Sequence, residues 1–192
     1  LKNESEYSFI GGGQSNDILS SSFAFLGGGN LNLIHSSSYS TIAAGSRNEI
    51  IDGLYNSILS GRENDIYNSE YSAIAGGWGN VIDFAFPHSS IKAYNFIGGG
   101  KNNEILGKGE QSNAIVGGNE ASIISSSYAF VGAGNRNQIL SSNNGSIGGG
   151  YQNQITASQY ATIAGGSGNR MESCTGGAIL GGENNIIYPT SP

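Results

Sequence analysis

Glu49 and Asp65 are the one pair in this chain whose types and spacing suggest acid–base chemistry. If they occupy equivalent places in adjacent structural repeats, their carboxylates approach within about 5 Å, a separation suited to a retaining carboxylate pair. A solvated acidic face explains the two residues more simply.

Other chemical signatures fail on inspection. His35 and His88 are the only histidines, and neither has a serine elbow, cysteine or carboxylate at an informative spacing. Gly76-Gly77-Trp78-Gly79-Asn80 and Gly165-Gly166-Ser167-Gly168-Asn169 begin like calcium-binding nonapeptides. Val81 and Arg170 stand where the recurring aspartate belongs, however, and the period differs. Gly107-Lys108-Gly109 lacks the upstream glycine and following hydroxyl of a phosphate loop. Cys174 is alone, so no intrachain disulfide forms, and it is either a buried small residue or a reactive thiol. Asn3-Glu4-Ser5 and Asn144-Gly145-Ser146 are glycosylation sequons in a eukaryotic setting only. The expectation is a chain with no catalytic residues, no metal and no cofactor.

Composition narrows the field further. The 192 residues include 32 glycines and 11% charged residues, with a formal net charge of -6. That disfavours a conventional helical core, and only eight Lys and Arg argue against nucleic acid. No stretch is apolar for long enough to suggest a membrane-spanning helix. Glycine- and serine-rich disorder is excluded by a strict phase of isoleucines.

That phase is a sixteen-residue repeat, Tyr-Ser-x-Ile-x-Gly-Gly-x-x-Asn-x-Ile, written eleven times. Its second glycine serves as anchor: Gly13, Gly29, Gly45, Gly61, Gly77, Gly100, Gly118, Gly134, Gly150, Gly166 and Gly182. The spacing is 16 except for 23 and 18 on either side of Gly100, which places a seven-residue insertion within 83–94 and a two-residue insertion within 106–112. One aliphatic residue lies three places before each anchor (Ile10, Leu26, Ile42, through Ile179). A second apolar residue lies five places after it (Ile18, Ile34, Ile50, through Met171 and Ile187).

Period-two alternation around each aliphatic residue predicts two short strands per coil, and stacked coils then form a single all-β domain over 1–192, a parallel β-solenoid or β-roll. Stacking at about 4.8 Å per coil gives a rod roughly 50 Å long. The expected inner positions are Ser8, Ile10 and Gly12 in the first strand, and Asn16, Ile18 and Ser20 in the second. Asn16, Asn32, Asn48, Asn64, Asn80, Asn103, Asn137, Asn153, Asn169 and Asn185 recur three places after the anchor, with Ala121 as the exception. In register these side chains make an amide ladder that satisfies polar groups at the turn.

The outer face of the first strand carries Tyr7, Phe23, Tyr39, Tyr55, Tyr71, Tyr94, Tyr128 and Tyr160 in one row, with Phe9, Phe25, Phe96 and Phe130 two residues on. A third row consists mostly of small residues. Such a stripe exceeds what a soluble monomer usually exposes and predicts a homo-oligomer joined side by side. The rival reading has the tyrosines capping turns against their neighbours in the next coil. The outer face of the second strand is more hydrophilic. Within the longer insertion, Phe84, Phe86, His88 and Lys92 form either a recognition loop or a flap over Trp78.

The unit, as in Ser40-Thr41-Ile42-Ala43-Ala44-Gly45-Ser46-Arg47-Asn48-Glu49-Ile50, resembles the head repeats of trimeric autotransporter adhesins, the YadA-like class. The resemblance covers essentially the whole chain. It implies a left-handed roll, three chains side by side, and display on a bacterial surface or in a phage fibre.

The leading expectation is therefore a non-enzymatic extracellular rod, structural or adhesive, with a host surface or glycan as receptor. A filament subunit stacking end to end is the second. Ice binding is the third, and it requires a regular outward Thr or Ser lattice that these mixed rows do not supply.

Overall fold

One large aliphatic residue per half-coil, bounded by glycine and polar turn residues, permits strands of only two to five residues. The computed structural model describes residues 5–84, 92–107 and 111–189. Within them the chain winds as an all-β parallel solenoid of eleven coils, and no helix occurs among the described residues.

Each coil gives one strand to each of two eleven-stranded parallel sheets. The first sheet begins with Phe9–Ile10, Phe25–Leu26 and Thr41–Ile42, and the second with Asp17–Leu19, Leu33–His35 and Glu49–Ile51. Identical repeat positions pair throughout, as in Ile34↔Ile50 and Ile42↔Ile58. The two aliphatic columns meet between the sheets, where residues such as Leu26, Ile50, Ile105 and Ile147 are fully buried. Each such side chain contributes about 1.5–3 kcal/mol by leaving water.

The insertions leave this stacking intact. Ile74 pairs with Ile97 and Ile82 with Ile105, while Ile97 pairs with Ile115 and Ile105 with Ile123. The extra residues are accommodated after second-sheet strands, which lengthen there to Val81–Phe84 and Glu104–Gly107.

Corners are made by left-handed residues, most of them not glycine. Ser15, Leu31, Arg47 and Glu63 take φ of 54–58° two places after the anchor, while Ser20, Ser36, Asp52 and Asn68 take 48–55° seven places after it. This overturns one expected inner position. Ser20 sits at the left-handed corner and is exposed, so the alternation slips by one and the next residue, Ser21, turns inward and is fully buried. Ser141 and Ser142 repeat the pattern. Gly12 and Ala44 are exposed rather than inward, because the chain is already leaving the first strand for its turn.

The anchor glycine is required twice over. Gly61 has φ of 101°, and a Cβ there would collide with the carbonyl oxygen of Gly77 and the Nδ2 of Asn64. Successive backbones approach too closely at this corner for any side chain.

Candidate assembly face

Three rows cover the outside of the first sheet. The tyrosine row lies at the corner before the strand, where Tyr39, Tyr55 and Tyr71 all have φ of 56°. That conformation is costly for a bulky residue, and the neighbouring coils offset it by stacking. Tyr7, Phe23, Tyr39, Tyr55, Tyr71 and Tyr94 form an unbroken column of near-parallel rings, with centroids 4.9–5.2 Å apart. The spacing follows from the strand separation. The rings thus do pack coil on coil as the turn-capping reading expected, yet their outer edges stay open, Tyr39 and Tyr55 being 47% exposed.

The second row holds the phenylalanines, and each is followed two residues later by glycine: Gly11, Gly27, Gly98 and Gly132. The geometry explains the pairing. Phe25 and Phe96 lie along their strands so that Cε1 sits 3.2 and 3.3 Å from where a Cβ on Gly27 or Gly98 would project. The ring occupies the missing side chain's place. Phe9 and Phe25 also stack, at 5.5 Å.

All twelve aromatic residues of the expected face are exposed in the single chain, including Phe9, Phe23, Tyr94, Tyr128, Phe130 and Tyr160. No charged residue occupies any of the three rows, although the chain carries 22 charged Lys, Arg, Asp and Glu side chains, 8 basic and 14 acidic.

The asparagine ladder lies inside the corner behind the anchor glycine. Asn64 Nδ2 donates to the carbonyls of Ser60 and Gly77 at 3.2 and 3.1 Å. Its Oδ1 accepts from the N–H and the carboxamide of Asn80 at 3.1 and 3.0 Å. The side chain is fully buried. Asn32, Asn48 and Asn80 make the same set of contacts, and Asn103 makes all but the last, its Oδ1 accepting only the N–H of Ala121. The other members, Asn16, Asn137, Asn153, Asn169 and Asn185, each bridge to the carbonyl four residues back. These amides are committed to the backbone.

Two further ladders were not anticipated. Eight places after the anchor, Ser21, Ser37, Ser126, Ser142 and Ser158 each offer Oγ to the backbone N–H of the next coil. Cys174 ends that column, its thiol directed at the carbonyl of Glu172. The cysteine is a buried structural residue. Asn56 and Asn113 play an equivalent part behind the tyrosine row, accepting from the N–H of Ser72 and Ala129. The available signal was the recurrence of Ser eight places after most anchors, while Asn56, Asn95 and Asn113 share a position that elsewhere holds Ser, Ala or Gly.

On the second sheet Glu49 and Asp65 are in-register neighbours, and Tyr67, which sequence reasoning did not single out, donates to Glu49 Oε2 at 2.9 Å. Partial burial, reinforced by the Glu49 charge, raises the Asp65 carboxyl to about 6, and burial also pushes the Tyr67 phenol up. These three groups form a mutually braced patch on an outward face. Along the polar edge, Trp78 donates to Glu63 at 2.8 Å and lies beneath the Lys101 ammonium, 4.5 Å from the ring centroid. The Trp78 bond, then the Arg62 contact, hold the Glu63 carboxyl below its usual range. Among the described residues, no group of three His, Cys, Asp or Glu could hold a metal ion.

Phe84 ends its strand buried against the core, so it cannot serve as a solvent-facing recognition residue. Lys92 is exposed. Phe86 and His88 lie outside the described residues.

No protein-family model matches the chain, and no curated protein matches it either.

Proposed function

We propose that this chain is a non-enzymatic structural rod, an extracellular fibre segment that assembles side by side with copies of itself through the first-sheet face. The observation that carries this reading is a charge-free aromatic surface that remains open after the rings have stacked within the chain. Eleven coils at about 4.8 Å, by a strand width of about 13–15 Å, make a face of roughly 700 Å², close to the ~800 Å² per partner of a standard specific interface. The likeness of the repeat to adhesin heads supports a place at a cell surface or in a fibre.

The polar resources of the chain are consumed by its own backbone, since the Asn and Ser ladders satisfy corners rather than face a ligand. This suits a part selected for stiffness. Sedimentation equilibrium tests the reading. The wild-type chain should have the mass of a multimer, and substituting Phe96→Ser with Phe130→Ser should shift it toward one chain without loss of β structure. A wild-type chain that stays monomeric at every concentration would overturn the proposal.

A further inference from the structure

The aromatic row is continuous in the first six coils and then changes character. Ser112, Tyr128, Asn144, Tyr160 and Gly176 occupy it in the last five, so a ring alternates with a small side chain. Tyr128 and Tyr160 accordingly lose their stacking neighbours and are 66% and 64% exposed, against 38–49% for Phe23 through Tyr71. Between Tyr128 and Tyr160 the backbone keeps one course despite the change of side chain. Tyr128, Asn144 and Tyr160 share left-handed φ of 53–55°, and the N–H of Asn144 and of Tyr160 still reach the coil before, at 2.9 and 3.1 Å. The gap between the two rings is therefore two coil rises. In the continuous half of the same row, one rise corresponds to a ring spacing of 4.9–5.2 Å. One further ring fits in the gap with normal stacking on both sides.

A comb of this kind is complementary to itself. Reversing a second copy about a two-fold axis that runs along the strands keeps each row facing its own row. With the axis between the coils of Tyr128 and Asn144, Tyr128 meets Asn144, Tyr160 meets Ser112 and Tyr94 meets Gly176 of the other copy. The phenylalanine row obeys the same register, because Phe130 meets Ser146 and Phe96 meets Ala178. In all five matches a ring faces a small side chain. A two-fold along the rod would instead set Phe130 against Phe130. No charge opposes the contact, since these rows are uncharged in every coil.

We infer that the C-terminal six coils form an antiparallel, isologous docking surface for a second copy of this chain, with the tyrosines of each copy seated in the notches of the other. This rests on the reading of the first-sheet face as the assembly surface, and it specifies the partner and the register. The overlap of roughly 400 Å² per copy is small for a specific interface, so the pair is weak and concentration-dependent.

Asn144→Tyr tests the register. Tyrosine already occupies this left-handed position in other coils, so the variant should fold and melt no lower than wild type, its new ring completing the stack within the chain. With its notch filled, association should weaken at least tenfold in sedimentation velocity. Tyr128→Ala should weaken association similarly. Unchanged association in Asn144→Tyr would overturn the pair, and so would a wild-type mass of three chains; both would leave side-by-side assembly standing if Phe96→Ser/Phe130→Ser still dissociates the multimer. A strictly monomeric wild type would overturn both.

Discussion

Asn103 Oδ1 accepts the backbone N–H of Ala121 at 3.0 Å, but Ala121 has no side-chain oxygen to offer the N–H of Asn137 in the next coil. The amide ladder is interrupted at that one rung. Ala121→Asn should restore it and raise stability by about 1 kcal/mol, the net worth of a typical added hydrogen bond. Urea denaturation should show a higher midpoint at unchanged slope, and an unchanged midpoint would mean that the ladder contributes little.

Asn64→Ala should act in the opposite direction. The side chain makes five hydrogen bonds in a fully buried corner. Removing it orphans the N–H of Asn80 and the carbonyl of Ser60, at a cost of about 2–4 kcal/mol. The same denaturation measurement reads the loss.

Asp65 gives the stability a pH dependence of defined sign. Its folded-state carboxyl titrates at about 6, above the ordinary 3.8, because burial and Glu49 disfavour the charge. The penalty is present above pH 6 and is relieved as pH falls from about 6 toward 4. Asp65→Asn should therefore stabilise the chain at pH 7.5, on the order of 1–2 kcal/mol after discounting for partial solvent screening. The difference from wild type should vanish near pH 4 in thermal melts.

Cys174→Ser should be close to neutral, because serine fills the equivalent position in Ser126, Ser142 and Ser158. A melting temperature within a degree or two of wild type is expected. The native thiol, 7% exposed, should label slowly with a maleimide and fast after unfolding.

Much of this architecture was legible because it is periodic. The isoleucine columns, the anchor glycines and the first asparagine ladder each recur at fixed phase, and only stacked coils make such a phase useful. What escaped depended on backbone states that residue type does not advertise. Left-handed φ at Ser20 moved the inward position from Ser20 to Ser21, Arg47 and Tyr55 turn other corners in the same way, and nothing about serine, arginine or tyrosine signals that geometry. Phe84 was misplaced because an insertion suspends the phase. Tyr67 was missed because its partner Glu49 lies one coil back and two positions earlier in the repeat, a diagonal relation that a column-by-column reading does not display.

Hydroxyl-radical footprinting of the native protein tests the central claim most directly, because the chain supplies its own control. Tyr151 on the polar edge is 45% exposed in the single chain, and Tyr94, Tyr128 and Tyr160 on the first-sheet face are 52%, 66% and 64% exposed. Assembly through that face predicts Tyr94, Tyr128 and Tyr160 oxidised several-fold more slowly than Tyr151, with the difference disappearing on dilution. Equal oxidation of all four at high concentration would contradict it.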